Sequence, residues 1–137
     1  GRAVTISRPR GLSLSLFTGA ASLAILANLP AYRIRSLYLK HQEPIQAAGL
    51  GDTWDGFRAN LASIRRAGYA FSTNNINTSL AGVAVPICGP GDGVVLGSLT
   101  QVRSRDDFDA KSIPGAAETL TAAARRIAAS LRGRKAQ

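Results

Sequence analysis

DTWDGFRANLASIRRAGYAFS, residues 52–72, is the stretch that decides the fold. Trp54, Phe57, Leu61 and Ile64 recur three and four residues apart, so they share one side of an α-helix. Asp52 is the expected N-cap, and Asp55 places a negative charge in the first turn, where it opposes the helix dipole. Arg65 and Arg66 fall in the last turn, again with the favourable sign. Gly68 suits the left-handed position just past a helix end. Residues 69–72 then read as a strand with Tyr69 and Phe71 on one face.

Downstream, residues 73–79 are polar and read as a loop or a bulged strand. Residues 83–87 form a strand whose Pro86 belongs at a bulge or an edge. GPGDG, residues 89–93, is a turn by composition. Residues 94–102 are a long strand, so strand, turn and strand make an antiparallel hairpin. Pro114 and Gly115 open a final helix with Leu120, Ala124, Ile127 and Leu131 as its buried seam.

Upstream, residues 3–7 and 12–17 read as two strands, the second with Leu12, Leu14 and Leu16 alternating with serine. Thr18-Gly19 then starts a helix of small and apolar residues, 20–28, stopped by Pro30. A short helical segment follows at 32–38. The order of elements predicts an α+β fold, an antiparallel sheet flanked by helices.

Length and composition fit one domain: 137 residues, 45% of them hydrophobic, are enough for a core and exclude wholesale disorder. Seventeen Lys and Arg against eight Asp and Glu give a net charge of +9. The excess sits at the two ends, while residues 43–109 carry five Arg and seven acids. The basic tail, with Arg125, Arg126, Arg132, Arg134 and Lys135, has no aromatics between its cations, unlike most nucleic-acid footprints. It reads as a solvated helix end. A stand-alone basic nucleic-acid-binding module is the alternative function, supported by charge.

The uncharged run from Gly11 to Tyr32 is broken by Ser13, Ser15, Asn28 and Pro30, so it fits a folded pattern and no membrane partner is expected. Cytoplasmic residence is the default. The single cysteine, Cys88, excludes a disulfide framework or a thiolate zinc cage within the chain. Nothing in the sequence places Cys88 beside His41, the one histidine, so no nucleophile–base pair is expected. Asp106-Asp107-x-Asp109 lacks the glycine and bidentate acid of a calcium loop. GPGDG is followed by a strand and no Lys-Ser/Thr, so it is not a phosphate loop. The chain is therefore expected to be no enzyme and to need no cofactor or metal. One feature remains. Thr18-Gly19-Ala20-Ala21-Ser22 lies at a strand-to-helix junction, where free N–H groups attract anions. The same small residues also suit close packing.

Residues 61–70 (LASIRRAGYA) are similar to the pattern L-x-x-I/T-R-x-R-G-Y-A. Residues 11–27 (GLSLSLFTGAASLAILA) are similar to G-x-R-L-P-L-H-x-T/S-A/G-x-G-K-A-x-L-A, and residues 82–87 (GVAVPI) to A-I-A-A-P-V. In this order they resemble the C-terminal effector-binding domain of the IclR family of bacterial transcription regulators. The resemblance implies a GAF-like fold and a small organic effector, often a carboxylic or aromatic acid. It also implies a homodimer or homotetramer, with DNA bound by a separate N-terminal winged helix-turn-helix domain. On this reading residues 1–137 are a single effector-binding domain, lacking that DNA-binding domain and some N-terminal structure.

The effector-binding positions carried over by the resemblance are the backbone amides of Ala20 and Ala21, with Ser72, Gly82, Leu99 and Gln101. Departures bear on the ligand. Phe17, Ser15 and Ser22-Leu23 stand where the family often has His, Pro and Gly-Lys. Gly82 and Leu99 stand where hydroxyl or thiol groups are common. The expected effector is therefore larger and partly apolar or aromatic.

Overall fold

The computed structural model describes residues 16–73, 79–89 and 93–135, with side chains described as far as Leu131. Five helices and three strands follow in order: α1 (Ala20–Ala27), α2 (Ala31–Lys40), α3 (Gln42–Ala47), α4 (Trp54–Ala67), β1 (Ala70–Thr73), β2 (Leu80–Cys88), β3 (Val95–Ser104) and α5 (Ser112–Lys135). A single 3-10 turn, Arg105–Asp107, joins β3 to α5. The strand expected at 3–7 lies outside the described residues, as do residues 12–15 of the second. Leu16 and Phe17, read as the end of that strand, form a turn. Helix α3 was not expected; six residues with Pro44 in the first turn carry no helical period, and only Ile45 is buried.

Helix α4 follows the apolar spacing, with Phe57 and Leu61 buried and Trp54 and Ile64 partly so. Its N-cap is Thr53, not Asp52: Thr53 is extended, and its hydroxyl accepts from the Gly56 N–H at 3.1 Å. Gly68 ends the helix at φ 84°, where a side chain would be strained, and its N–H donates to the Ile64 carbonyl. Arg65 reaches back from this helix to the end of α1. Its Nε and Nη2 donate to the carbonyls of Ala27 (2.9 Å) and Leu29 (3.1 Å), acceptors that a helix end leaves open.

The sheet is antiparallel in the order β1-β2-β3. Strand β1 begins at Ala70, so Tyr69 precedes it, and Phe71 is exposed. Strand β2 starts at Leu80, three residues earlier than expected. Pro86 lies past the Ala70–Ala84 pair at which β1 begins, so among the described residues β2 is an edge there, as its proline favours. The hairpin is closed by the Gly89 N–H donating to the Val94 carbonyl at 2.6 Å. Ile87 pairs with Gly97 but Cys88 with Val95, so Leu96 is an extra residue, a β-bulge.

Residues 80–85 of β2 are buried without alternation, the mark of a strand covered on both faces. Ala84 clusters with Ala20 and Ala24 of α1 and with Ala70 of β1. Val83 and Val85 point to the opposite face, and α5 packs along β2 and β3 there. Helix α5 begins at Ser112, two residues before Pro114. Asp109 Oδ1 accepts from the N–H groups of Lys111 (2.9 Å) and Ser112 (2.7 Å), which fixes that start. Ala116, Ala117 and Ala124 are buried along α5, whereas Ile127, expected in the seam, is exposed because no described element covers it.

Candidate functional site

The junction before α1 is set by Gly19, at φ 87° and ψ 147°, a conformation that only glycine adopts without strain. The first intrahelical bond runs from the Leu23 N–H to the Gly19 carbonyl, and no side chain caps the helix. The N–H groups of Ala20, Ala21 and Ser22 thus have no intrahelical acceptor, and the helix dipole adds partial positive charge at the same end. Thr18 and Gly19 border a cavity of about 340 Å³. Phe17, Leu23, Ala48, Leu50 and residues 71–73 of β1 complete its lining. No charged side chain lines it among the described residues, so an anion there would meet backbone donors and an apolar body would meet Phe17, Leu23 and Leu50.

The six candidate residues divide by sheet parity. Ser72 pairs with Gly82, and Gly82 with Val102, so these share a face. A Cβ on Gly82 would lie 3.7 Å from the Ala20 Cβ and 3.5 Å from Thr100 Cγ2, which puts Ala20 and Thr100 on that face too. Ala20, Ala21, Ser72 and Gly82 are therefore gathered on the α1 side. Of these, Ser72 borders the cavity, while Gly82 is covered by α1. Leu99 pairs with Val85 and Gln101 with Val83, which turns both toward the α5 face.

The Gln101 amide also has an internal partner. In the orientation that matches donors to acceptors, its oxygen accepts from Arg103 Nε (3.0 Å) and Nη2 (2.6 Å). The Arg103 guanidinium lies 5.4 Å over the Phe108 ring, and Phe108 meets Phe71 edge-on at 5.9 Å. The residues of β3 that share the α1 face are Ser98, Thr100 and Val102. The sequence did not single these out, nor Ala48, Leu50 and Phe71 of the cavity lining. Ala48 and Leu50 carry no motif, and Ser98 and Thr100 could have been found only from the hairpin register.

Catalytic groups do not assemble among the described residues. His41 is exposed with its ring 5.7 Å from that of Phe17, and Cys88 is half-buried at the end of β2. No group of three His, Cys, Asp or Glu there could hold a metal ion, and no helix is long and apolar enough to cross a membrane. Asp106 and Asp107 are in the 3-10 turn, and Asp109 holds the start of α5.

The described residues form a three-stranded antiparallel sheet with helices on both faces, an α+β fold shared with C-terminal domains of bacterial transcription regulators. The chain belongs to one family of these: residues 2–129 match the bacterial transcriptional regulator IclR C-terminal domain. That is a family of regulator domains and not of enzymes. Among solved structures, the chain is similar to the C-terminal domain of a transcriptional regulator from Vibrio cholerae. The identity is 26% and the TM-score 0.65, over 90% of this chain and 70% of that one. The IclR of Thermotoga maritima matches with TM-score 0.77 and 21% identity, over 95% of this chain and 52% of that one. The C-terminal domain of E. coli KdgR matches with TM-score 0.67 and 20% identity, over 83% and 69%. The chain thus spans about half the length of the Thermotoga protein and about 70% of the isolated domains. No curated protein matches the sequence.

Proposed function

We propose that this domain senses a small organic acid for an IclR-type regulator, in the cavity at the start of α1. The observation that carries the reading is the uncapped N-terminus of α1, whose Thr18 and Gly19 border a cavity of about 340 Å³ with a mixed polar and apolar lining. Backbone amides of Ala20 and Ala21 receive the carboxylate, and Ser72 and the apolar lining hold the rest of the molecule. The β3 residues Thr100 and Ser98, on the same face, replace Leu99 and Gln101 as candidates for the site. The lining favours an aromatic or branched aliphatic body over a two-carbon oxo-acid. DNA is bound by a separate winged helix-turn-helix domain in this reading, and the regulator works as a cytoplasmic homodimer or homotetramer.

Calorimetry of the chain with a series of aliphatic and aromatic carboxylates tests the ligand class. Larger and aromatic acids are expected to bind more tightly than glyoxylate, and the reverse order would sink the apolar-ligand reading. Gel shift in a salt titration tests the competing one. Tight DNA binding by this chain alone, with a steep salt dependence, would favour a nucleic-acid module instead.

A further inference from the structure

A second concavity lies on the other side of α1, between α2 and α4. It holds about 180 Å³ and is separate from the cavity just described, with no lining residue in common. Its floor is apolar: Ala31 and Ile34 from α2, and Leu61 and Ala62 from α4. The Trp54 indole forms one wall. Trp54, Arg58, Leu61 and Arg65 fall at i, i+4, i+7 and i+11, so one stripe of α4 supplies wall, floor and rim.

The rim is cationic. Arg35 lies with its guanidinium carbon 4.7 Å from the Trp54 ring centroid, and Arg58 and Arg65 line the slot directly. Two of the three arginines have structural work. Arg65 holds the carbonyls of Ala27 and Leu29, and Arg35 covers the indole. Arg58 is different. Its ion pair with Asp55 is 3.8 Å long, with both side chains largely in water, a contact of little strength. Most of its five donors are left for another acceptor.

From this geometry we infer a second ligand site, for a monocyclic aromatic carboxylate, between α2 and α4. The ring enters against Ile34, Leu61 and the Trp54 indole, and the carboxylate pairs with the guanidinium fork of Arg58. Size agrees: at interior packing density, about 0.74, the slot would hold roughly 130 Å³ of atoms, enough for a benzoate-sized molecule. Charge agrees as well: Arg58 and Arg65 line the slot, Arg35 lies over its Trp54 wall, and no acid is among the described lining residues. Among the described residues the cavity at the start of α1 offers backbone donors and no cation, so the two sites differ in how they would hold an anion.

Trp54 is the chain's one tryptophan and forms a wall of this slot and not of the first cavity. Benzoate titrated into the full chain is expected to change Trp54 emission saturably. Arg58→Ala should raise the dissociation constant about tenfold or more, the usual weight of a charge-assisted pair. Arg58→Lys, which keeps charge but loses the fork, should fall between. Benzamide, with the same ring and no charge, should bind at least tenfold more weakly. Arg58 is exposed and the fold does not depend on it, so circular dichroism of both variants should be unchanged. An emission that does not respond to benzoate, or an equal constant for Arg58→Ala, would overturn the site. Equal binding of benzamide would overturn its anion specificity. Calorimetric binding of benzoate without a Trp54 response would place the ligand elsewhere in the chain and also count against it.

Discussion

Helix α1 separates two packings that differ in kind. Toward α2, α3 and α4 it meets a core of large side chains: Phe57, Leu26 and Ile45 are fully buried, with Phe17, Leu50 and Leu61 around them. Toward the sheet it meets alanine, and Ala20, Ala24, Ala70 and Ala84 fill the contact. The first core binds by buried area, at roughly 25 cal/mol per Å². The second has little area to contribute and instead lets two backbones approach. A Cβ at Gly82 would already touch the Ala20 Cβ at 3.7 Å. That approach brings the open N-terminus of α1 against β1, where the proposed carboxylate site lies. The large core thus holds the domain together, and the small seam sets the geometry of the site.

The two sides should therefore fail in opposite ways. Truncation should damage the large core most. Phe57, whose ring is 5.6 Å from that of Tyr38 and 6.3 Å from that of Trp54, is fully buried, and Phe57→Ala should cost about 3–5 kcal/mol in urea unfolding. A loss under about 1 kcal/mol would show that the core collapses around the void. Enlargement should damage the seam. Ala84→Leu adds three carbons where Ala20, Ala24 and Ala70 leave no space, and should cost about 1–3 kcal/mol. It should also reduce binding of any carboxylate at the α1 junction, because α1 must lift from the sheet. Unchanged binding in a folded Ala84→Leu protein would separate seam and site.

Much of this was legible in the residues. The apolar spacing of α4 and the glycine after it are local signals, and both held, with the cap moved from Asp52 to Thr53. The β2–β3 hairpin was equally plain. Parity along β3 was not. The extra residue at Leu96 sets the face of every later position, so that Ser98, Thr100 and Val102 turn toward α1 and Leu99 and Gln101 toward α5. Composition of the turn carries no trace of that bulge. Helix α3 was missed for a related reason: its one buried side chain, Ile45, packs against α1 and α4 residues distant in sequence, and six residues show no period.

Helix α5 lies on the far face of the sheet and shares neither packing around α1, so its start should be controlled separately and with the smallest effect. Asp109 accepts from two backbone N–H groups, of Ser112 and Lys111, and these bonds hold its carboxyl below the ordinary carboxylate range. A depressed folded-state pKa means that the charged form is favoured by folding. Its contribution is present above the ordinary carboxyl pKa and is lost as pH falls through the lower, folded-state value. Asp109→Ala removes the acceptor and the charge together. The thermal midpoint of the variant should lie slightly below that of the parent at about pH 7, and the two should converge as pH is lowered toward about 2. Amide exchange should quicken first at Lys111 and Ser112 and not in α4. A gap that widens in acid would give the wrong sign and show that the Asp109 bonds do not hold the start of α5. A matching loss of protection in α4 would show that α5 and the core around α1 unfold as one unit.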